Sequence, residues 1–439
     1  MTISTLDDLD VRGRVVLLRV DINSPIDRET GKINDDNRLN MSLPTIADLA
    51  DAGARVVIIA HQGDTLDYHN LVSMNEHAEI LTEKLGRPVG FIDDVAGPAA
   101  RAAIQALGDG AILLLENIRI LTEEVSTFEN AVKLTPAEMT NTYLVRNLAP
   151  LVDFYVNDAF AAAHRNAPSM VAFQELLPSA GGRLLVNEVT ALSGVASNPN
   201  RPCVFLLGGL KISDAFSMMD KVLADGTADT ILTTGITANV MLIAQGVELG
   251  GPTTAFIYDR SLEAFIPRAA ELLEAYGDRI EVPTDLAFDD TGKRREVAVT
   301  DLPIDELLID VGSTTVAAYE AVIANAATLF VNGPAGVYES AAGEYGTRSL
   351  WEAVAASDGY SVIGGGDTVA SARRFVDDSD IGFISTAGGA LIRFISGQPL
   401  PLLDAMEKAA ARNAEGGWSS MRDSSPSGEG IEAKNAPDA

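Results

Sequence analysis

Residues 203–216 read CVFLLGGLKISDAF. An aliphatic run stops at two glycines, a lysine follows, and apolar residues then recur at helical spacing. Strand, tight turn and helix in that order form half of a crossover between parallel strands. The plan recurs downstream in TILTTG (230–235), TLFVNGP (328–334), YSVIGGG (360–366) and GFISTAGG (382–389). Upstream, VVLLRVDI (15–22), RVVIIA (55–60), AILLLE (111–116) and FYVNDA (154–159) are continuously apolar rather than alternating. That pattern belongs to parallel strands covered on both faces. Between the first two, SLPTIADLADAGA (42–54) predicts an amphipathic helix with Ser42 as N-cap and Pro44 in the first turn. The expected class is α/β, with two doubly wound parallel-sheet, Rossmann-like domains.

The boundary is expected in NEVTALSGVASNPNRP (187–202), read as a hinge helix ending in a polar, proline-containing linker. It separates an N-terminal domain over 1–186 from a C-terminal domain over 203–389. After about residue 412 the composition turns to Ser, Gly and charge, and 413–439 is expected to be a mostly disordered tail.

Composition narrows the function. The 439 residues are 47% hydrophobic, ample for two cores. Lys+Arg total 32 against 62 Asp+Glu, a net charge of −30, which argues against nucleic-acid and anionic-membrane partners. Only eight residues are Lys. A Lys-poor, acid-rich surface suits a salt-loving host, because salt shortens the reach of self-repulsion. The single cysteine, Cys203, rules out an internal disulfide and a Cys-rich metal site. No charged start followed by an apolar stretch marks a leader, and no run reaches the length of a membrane span, so a soluble cytoplasmic protein is expected.

The glycine-ended strands of the second half carry the first chemical signal. Gly208 and Gly209 with Lys211 form a phosphate cradle at a helix start. In VNGPAGVYE (331–339), Asn332 and Pro334 make the turn and Glu339 can accept from a ribose hydroxyl. In GGGDT (364–368), Gly365 and Gly366 precede Asp367, a hard oxygen ligand for Mg²⁺, and Thr368, a further polar contact. STAGGA (385–390) adds Gly389. Singly, glycines at strand ends are tight turns; four groups at the carboxyl ends of strands in one half mark where an open sheet binds a nucleotide. The first half places Arg19, Asp21, Asn23, Arg38, His61, Arg119, His164 and Arg165 at or after its strand ends. Arginines converging on one face of a sheet concentrate positive potential for an anionic substrate.

These strings resemble the phosphoglycerate kinase family, in its archaeal form, over residues 6–406. RVDINSP resembles the family's RVDFNVP, and DDNRLNMSLPTI its DDxRIxxxLPTI. LLLENIRI resembles LLENVRF, and DFYVNDAFAAAHRNAPS resembles DxYVNDAFGTAHRAHAS. GGLKISD, VNGPAGVYE, GGGDT and STAGGA resemble GGAKVSD, WNGPMGVFE, GGGDT and STGGGA. The resemblance implies an ATP-dependent kinase moving a phosphoryl group reversibly between ATP and the carboxylate of 3-phosphoglycerate, with Mg²⁺ and ATP/ADP as cofactors. It implies catalytic roles for Arg38, Lys211, Gly366 and Gly389. The acid falls to Arg19, Asp21, Asn23, Arg38, His61, Arg119, His164 and Arg165. The nucleotide falls to Gly208, Gly209, Lys211, Asn332, Pro334, Glu339, Gly365, Gly366, Asp367 and Thr368, with Asp367 on the metal. It also implies a monomer or homodimer, closure of the hinge, and residues 390–412 folding back onto the N-terminal domain.

Two positions depart from the family. The loop after His61 reads AHQGDTLDYHN (60–70), with Asp64 where archaeal members read AHQGRP, and no Arg or Lys follows before Glu83. Exchanging a phosphate-gripping cation for an anion changes local charge by two and weakens a dianion's grip by about 1–3 kcal/mol. Ala215 stands where bacterial and eukaryotic members carry a second lysine. A different carboxylic acid acceptor, or a nucleotide-binding regulator without activity, are the alternative readings.

Overall fold

The computed structural model describes residues 2–64 and 69–414. The chain divides into two units. The first comprises the chain up to Ala159, Arg165–Leu184 and Pro401 onward; the second comprises Phe160–His164 and Leu185–Leu400.

The first unit is built on a six-stranded sheet. Its strands are β1 (Val15–Val20), β2 (Arg55–Ile59), β3 (Val89–Ile92), β4 (Ile112–Leu115), β5 (Phe154–Asp158) and β6 (Ser179–Gly181), in the order β3-β4-β2-β1-β5-β6. Every neighbouring pair is parallel. Val16, Leu17, Leu18 and Val20 of β1 are fully buried, which is why its sequence does not alternate. The helix after β1 spans Asn37–Asp51, beginning five residues before the expected Ser42 cap, and Pro44 lies within it. Ser42 is buried, and its hydroxyl donates to the Arg38 carbonyl one turn back, so it is an interior residue rather than a cap.

The second unit repeats the architecture with β7 (Cys203–Leu207), β8 (Thr230–Thr233), β9 (Ile280–Glu281), β13 (Thr328–Asn332), β14 (Tyr360–Gly364) and β15 (Phe383–Ser385). Their order is β15-β14-β13-β7-β8-β9, again all parallel. Phe205 and Phe330, paired in register at the middle of adjacent strands β7 and β13, pack ring to ring with 5.0 Å between centroids. A three-stranded antiparallel sheet, β11-β10-β12, completes the unit with β10 (Asp285–Asp290), β11 (Lys293–Ala298) and β12 (Leu308–Val311). Its hairpin turns on Thr291 and Gly292, both at positive φ, the geometry of a two-residue I′ turn. The sequence pattern did not announce this sheet, because its strands are antiparallel and partly exposed and lack the continuous apolar run of the parallel ones.

One helix, Arg183–Ala196, runs from the first unit into the second, starting four residues before the expected 187. Its start is held by the first unit: the Arg183 N–H donates to Thr45 Oγ1, and its guanidinium pairs with Asp7 and Asp48. The expected return of 390–412 to the first unit is divided. Helix Gly389–Ile395 stays with the second unit, where Phe394 packs on Phe160 and Gln398 bonds Ser217. Helix Pro401–Ala414 belongs to the first, where Arg412 donates to the Gln174 carbonyl and Asn413 to Ser4. Of the tail expected at 413–439, residues 415–439 lie outside the described residues. Among the described residues no helix is long and apolar enough to cross a membrane.

Candidate functional site

In the first unit the carboxyl ends of β1, β2 and β5 lie side by side, with Arg19 in register with Ile59 on one side and Asn157 on the other. This brings basic side chains together. Arg19 is 3% exposed; its Nη2 lies 3.0 Å from His61 Nδ1, and its Nε donates to Ser169 Oγ at 3.3 Å. Arg38 Nη1 pairs with Asp21 Oδ2 at 2.8 Å. Burial would raise the Asp21 pKa, but Arg38, His61 and Arg19 outweigh it and hold the carboxylate at about 2. Burial drives His61 well below its ordinary value; Asp21 opposes this, while Arg19, Arg119 and Arg165 add to it, so the imidazole is neutral at pH 7. Arg119 is buried and pairs with Asp64 at 2.7 Å; Arg165 pairs with Glu129 at 2.8 Å. The Asn23 side-chain carbonyl accepts from Gly63 N–H at 3.0 Å, fixing the turn after β2 to the end of β1.

Of the eight acid-site residues expected from the sequence, seven belong to this unit, and their mutual pairs and fields centre on His61 and Asp21. The eighth, His164, falls with Phe160–Ala163 in the second unit, at the boundary where the chain returns to the first at Arg165. The internal carboxylates Glu124 and Glu129 were not expected from the sequence. Glu124 is buried, accepts from Ser169 N–H and Oγ at 2.7 Å each, and has its pKa raised by burial.

In the second unit, Gly208, Gly209, Lys211, Asn332, Pro334, Glu339, Gly365, Gly366, Asp367, Thr368 and Gly389 all line one cavity of about 470 Å³. Strand-end turns cross at its floor. Gly208 N–H donates to the Asn332 carbonyl, Gly209 N–H to the Pro334 carbonyl, and Gly333 N–H to Thr368 Oγ1. A Cβ on Gly208 would lie 2.2 Å from Thr234 Oγ1; one on Gly333, where φ is +89°, would lie 2.4 Å from the Gly208 carbonyl oxygen. Only glycine allows these backbones to approach so closely and bond to one another across the cavity floor. Lys211 Nζ lies 3.3 Å from Asp367 Oδ2, with both side chains 72% exposed, so the pair holds neither group firmly. Burial raises the Asp214 pKa and Lys211 lowers it, with burial prevailing.

The cavity also has an apolar lining: Ile236, Phe256, Leu286, Leu307, Leu308 and Val337. Sequence reading missed this apolar lining. Leu286 and Leu308 come from the antiparallel sheet, and the two-residue turn at Thr291-Gly292 is the signal that could have located it. Glycines, a lysine and an apolar lining in one cavity suit a nucleotide. Asp367 suits a divalent cation carried by phosphates, since Mg²⁺ takes one or two carboxylates plus phosphate oxygens. Among the described residues no group of three or more His, Cys, Asp or Glu could hold a metal alone.

The chain is similar to known proteins along most of its length. The family model described as Phosphoglycerate kinase matches residues 6–398. Phosphoglycerate kinase of Methanothermobacter thermautotrophicus is 43% identical over 405 residues, covering 92% of this chain and 97% of the relative. That of Halobacterium salinarum is 42% identical over 408 residues, covering 92% and 100%. The crystal structure of phosphoglycerate kinase from Pyrococcus horikoshii superposes with a TM-score of 0.82 at 35% identity, covering 93% of this chain and 100% of that one. On the strength of this match along nearly its whole length, the chain belongs to the phosphoglycerate kinase family.

Proposed function

We propose that the protein is an ATP-dependent phosphotransferase that acts on the carboxylate of 3-phosphoglycerate, reversibly, in the cytoplasm of a salt-adapted cell. One observation carries the reading beyond family membership. A guanidinium cluster with a neutral histidine sits in one unit, and a glycine-floored, apolar-walled cavity with Lys211 and Asp367 sits in the other. The first suits a small dianionic acid, the second a nucleotide.

Phosphoryl transfer depends on positioning and charge neutralisation rather than covalent help. In this reading Arg38 leaves Asp21 to pair with the reacting carboxylate and the phosphoryl in flight. Asp21 and Asn23 orient the acid's hydroxyl. Arg19, His61, Arg119 and Arg165 hold the distal phosphate, and His61 donates a hydrogen bond as a neutral ring. Lys211 neutralises charge on the migrating phosphoryl, and the amides of Gly366 and Gly389, each at the start of a helix, bind phosphate oxygens. Glu339 receives the ribose. Asp367 holds Mg²⁺, which when bound neutralises phosphate charge.

The test is a coupled assay in molar KCl with MgATP and 3-phosphoglycerate. Turnover of about 10–100 per second is expected; none above background with intact nucleotide binding would overturn the reading. The Asp64–Arg119 pair favours one second reading, the same chemistry on an acid with a less charged distal end. Faster turnover of such an acid than of 3-phosphoglycerate would establish it.

A further inference from the structure

The guanidinium cluster of the first unit is neutralised from within. Arg38 is paired with Asp21, Arg165 with Glu129 and Arg119 with Asp64. Three of the neighbouring carboxylates are fixed parts of the fold. Asp21 is 6% exposed, Glu129 18%, and Glu124 is buried with both oxygens engaged by Ser169. Asp64 differs: its side chain is 35% exposed while Arg119 is 7% exposed. Its Oδ2 accepts from Arg119 Nη1 at 2.7 Å and from Ser126 Oγ at 2.9 Å. Arg119 Nη1 donates also to the Gly63 carbonyl at 3.2 Å, so the guanidinium is held in place whether or not Asp64 touches it. Arg165 acts on Arg119 electrostatically, so the two guanidiniums lie within reach of one another, each paired with its own carboxylate. A fixed cation facing a solvent-accessible carboxylate is an anion site with an exchangeable internal occupant.

We infer that Asp64 sets acid specificity in this protein: it occupies Arg119 when no acid is bound and competes with the distal anionic group of the substrate for that guanidinium. This rests on the reading that the cluster takes an anionic acid. Asp64 acts through Arg119 and is a positioning residue. Its effect falls on affinity for dianionic ends, and less on acids whose distal group carries one charge or none.

The test uses the full chain at fixed ionic strength, with inorganic phosphate as probe and calorimetry as readout. Asp64→Asn keeps the side chain's size and removes its charge. Phosphate affinity is expected to rise about five- to tenfold, and the KM for 3-phosphoglycerate to fall by the same factor while the KM for ATP stays put. Ser126→Ala, which removes the hydroxyl steadying Asp64, should move phosphate affinity the same way by about twofold. In an Arg119→Met background the Asp64→Asn gain should vanish. Phosphate affinity unchanged or weakened in Asp64→Asn would overturn the inference, as would a gain that persists without Arg119. If the wild-type protein turned over no 3-phosphoglycerate, the kinase reading would fail, and the phosphate titration would still decide the role of Asp64.

Discussion

Arg38 and Lys211 differ in how the resting protein holds them, and that difference predicts how their variants behave. Arg38 pairs with a carboxylate that is 6% exposed, whereas Lys211 faces Asp367 in open solvent. Lys211→Met should therefore leave thermal stability within about 0.5 kcal/mol of wild type, and lower kcat by about a thousandfold in the coupled assay. Arg38→Met should lower kcat comparably and also change the pH dependence of stability. Asp21 titrates near 2 in the folded protein, below its ordinary 3.8. A depressed carboxylate contributes stability that is present above about pH 4 and lost as pH falls towards 2. Without Arg38 the folded pKa rises, so acid unfolding should begin at higher pH, as circular dichroism across pH 2–6 would record. The basic residues were legible in the sequence because they follow strands whose carboxyl ends must adjoin in a parallel sheet. Of the carboxylates around them, Asp21 and Asp64 were legible too, but Glu124 and Glu129 were not: they reach the cluster from a single 3-10 turn and a short helix whose path no periodicity encodes.

At the scale of elements, the nucleotide cavity depends on strand-end turns that approach closer than any side chain permits. Gly333→Ala forces a Cβ to within 2.4 Å of the Gly208 carbonyl oxygen at a φ of +89°. Destabilisation of about 2–4 kcal/mol is expected, with nucleotide affinity falling more than tenfold; Gly366→Ala, with open space around its Cβ, should cost far less stability. Denaturant melts of the two variants compare them directly. These turns were readable because glycine after an apolar run has few other uses. The cavity's apolar lining was not, since β10 and β12 are antiparallel, partly exposed and inserted in the chain between two parallel strands of another sheet. The length of helix Asn37–Asp51 was misjudged for a related reason: Ser42 and Pro44 carry the signature of a helix start, yet burial against the sheet overrode it.

At the scale of the whole molecule, 62 acidic residues against 32 basic ones give a net charge of −30. Self-repulsion of that size favours expansion, and screening relieves it. The melting temperature should rise by several degrees between 0.1 M and 2 M KCl, and scanning calorimetry would show it; a flat profile would mean that the ion pairs already offset the repulsion. The chain's route between its units has a separate consequence. Helix Pro401–Ala414 fits into the first unit, burying Leu402, Leu403, Met406 and Ala409 there, while the second unit is finished by Leu400. On the ribosome, therefore, the half translated first is completed last: it waits for some two hundred intervening residues before its final helix emerges, and the nucleotide half can mature ahead of it. A nascent chain stalled at residue 400 should carry a protease-resistant second unit beside a first unit that is still readily cleaved.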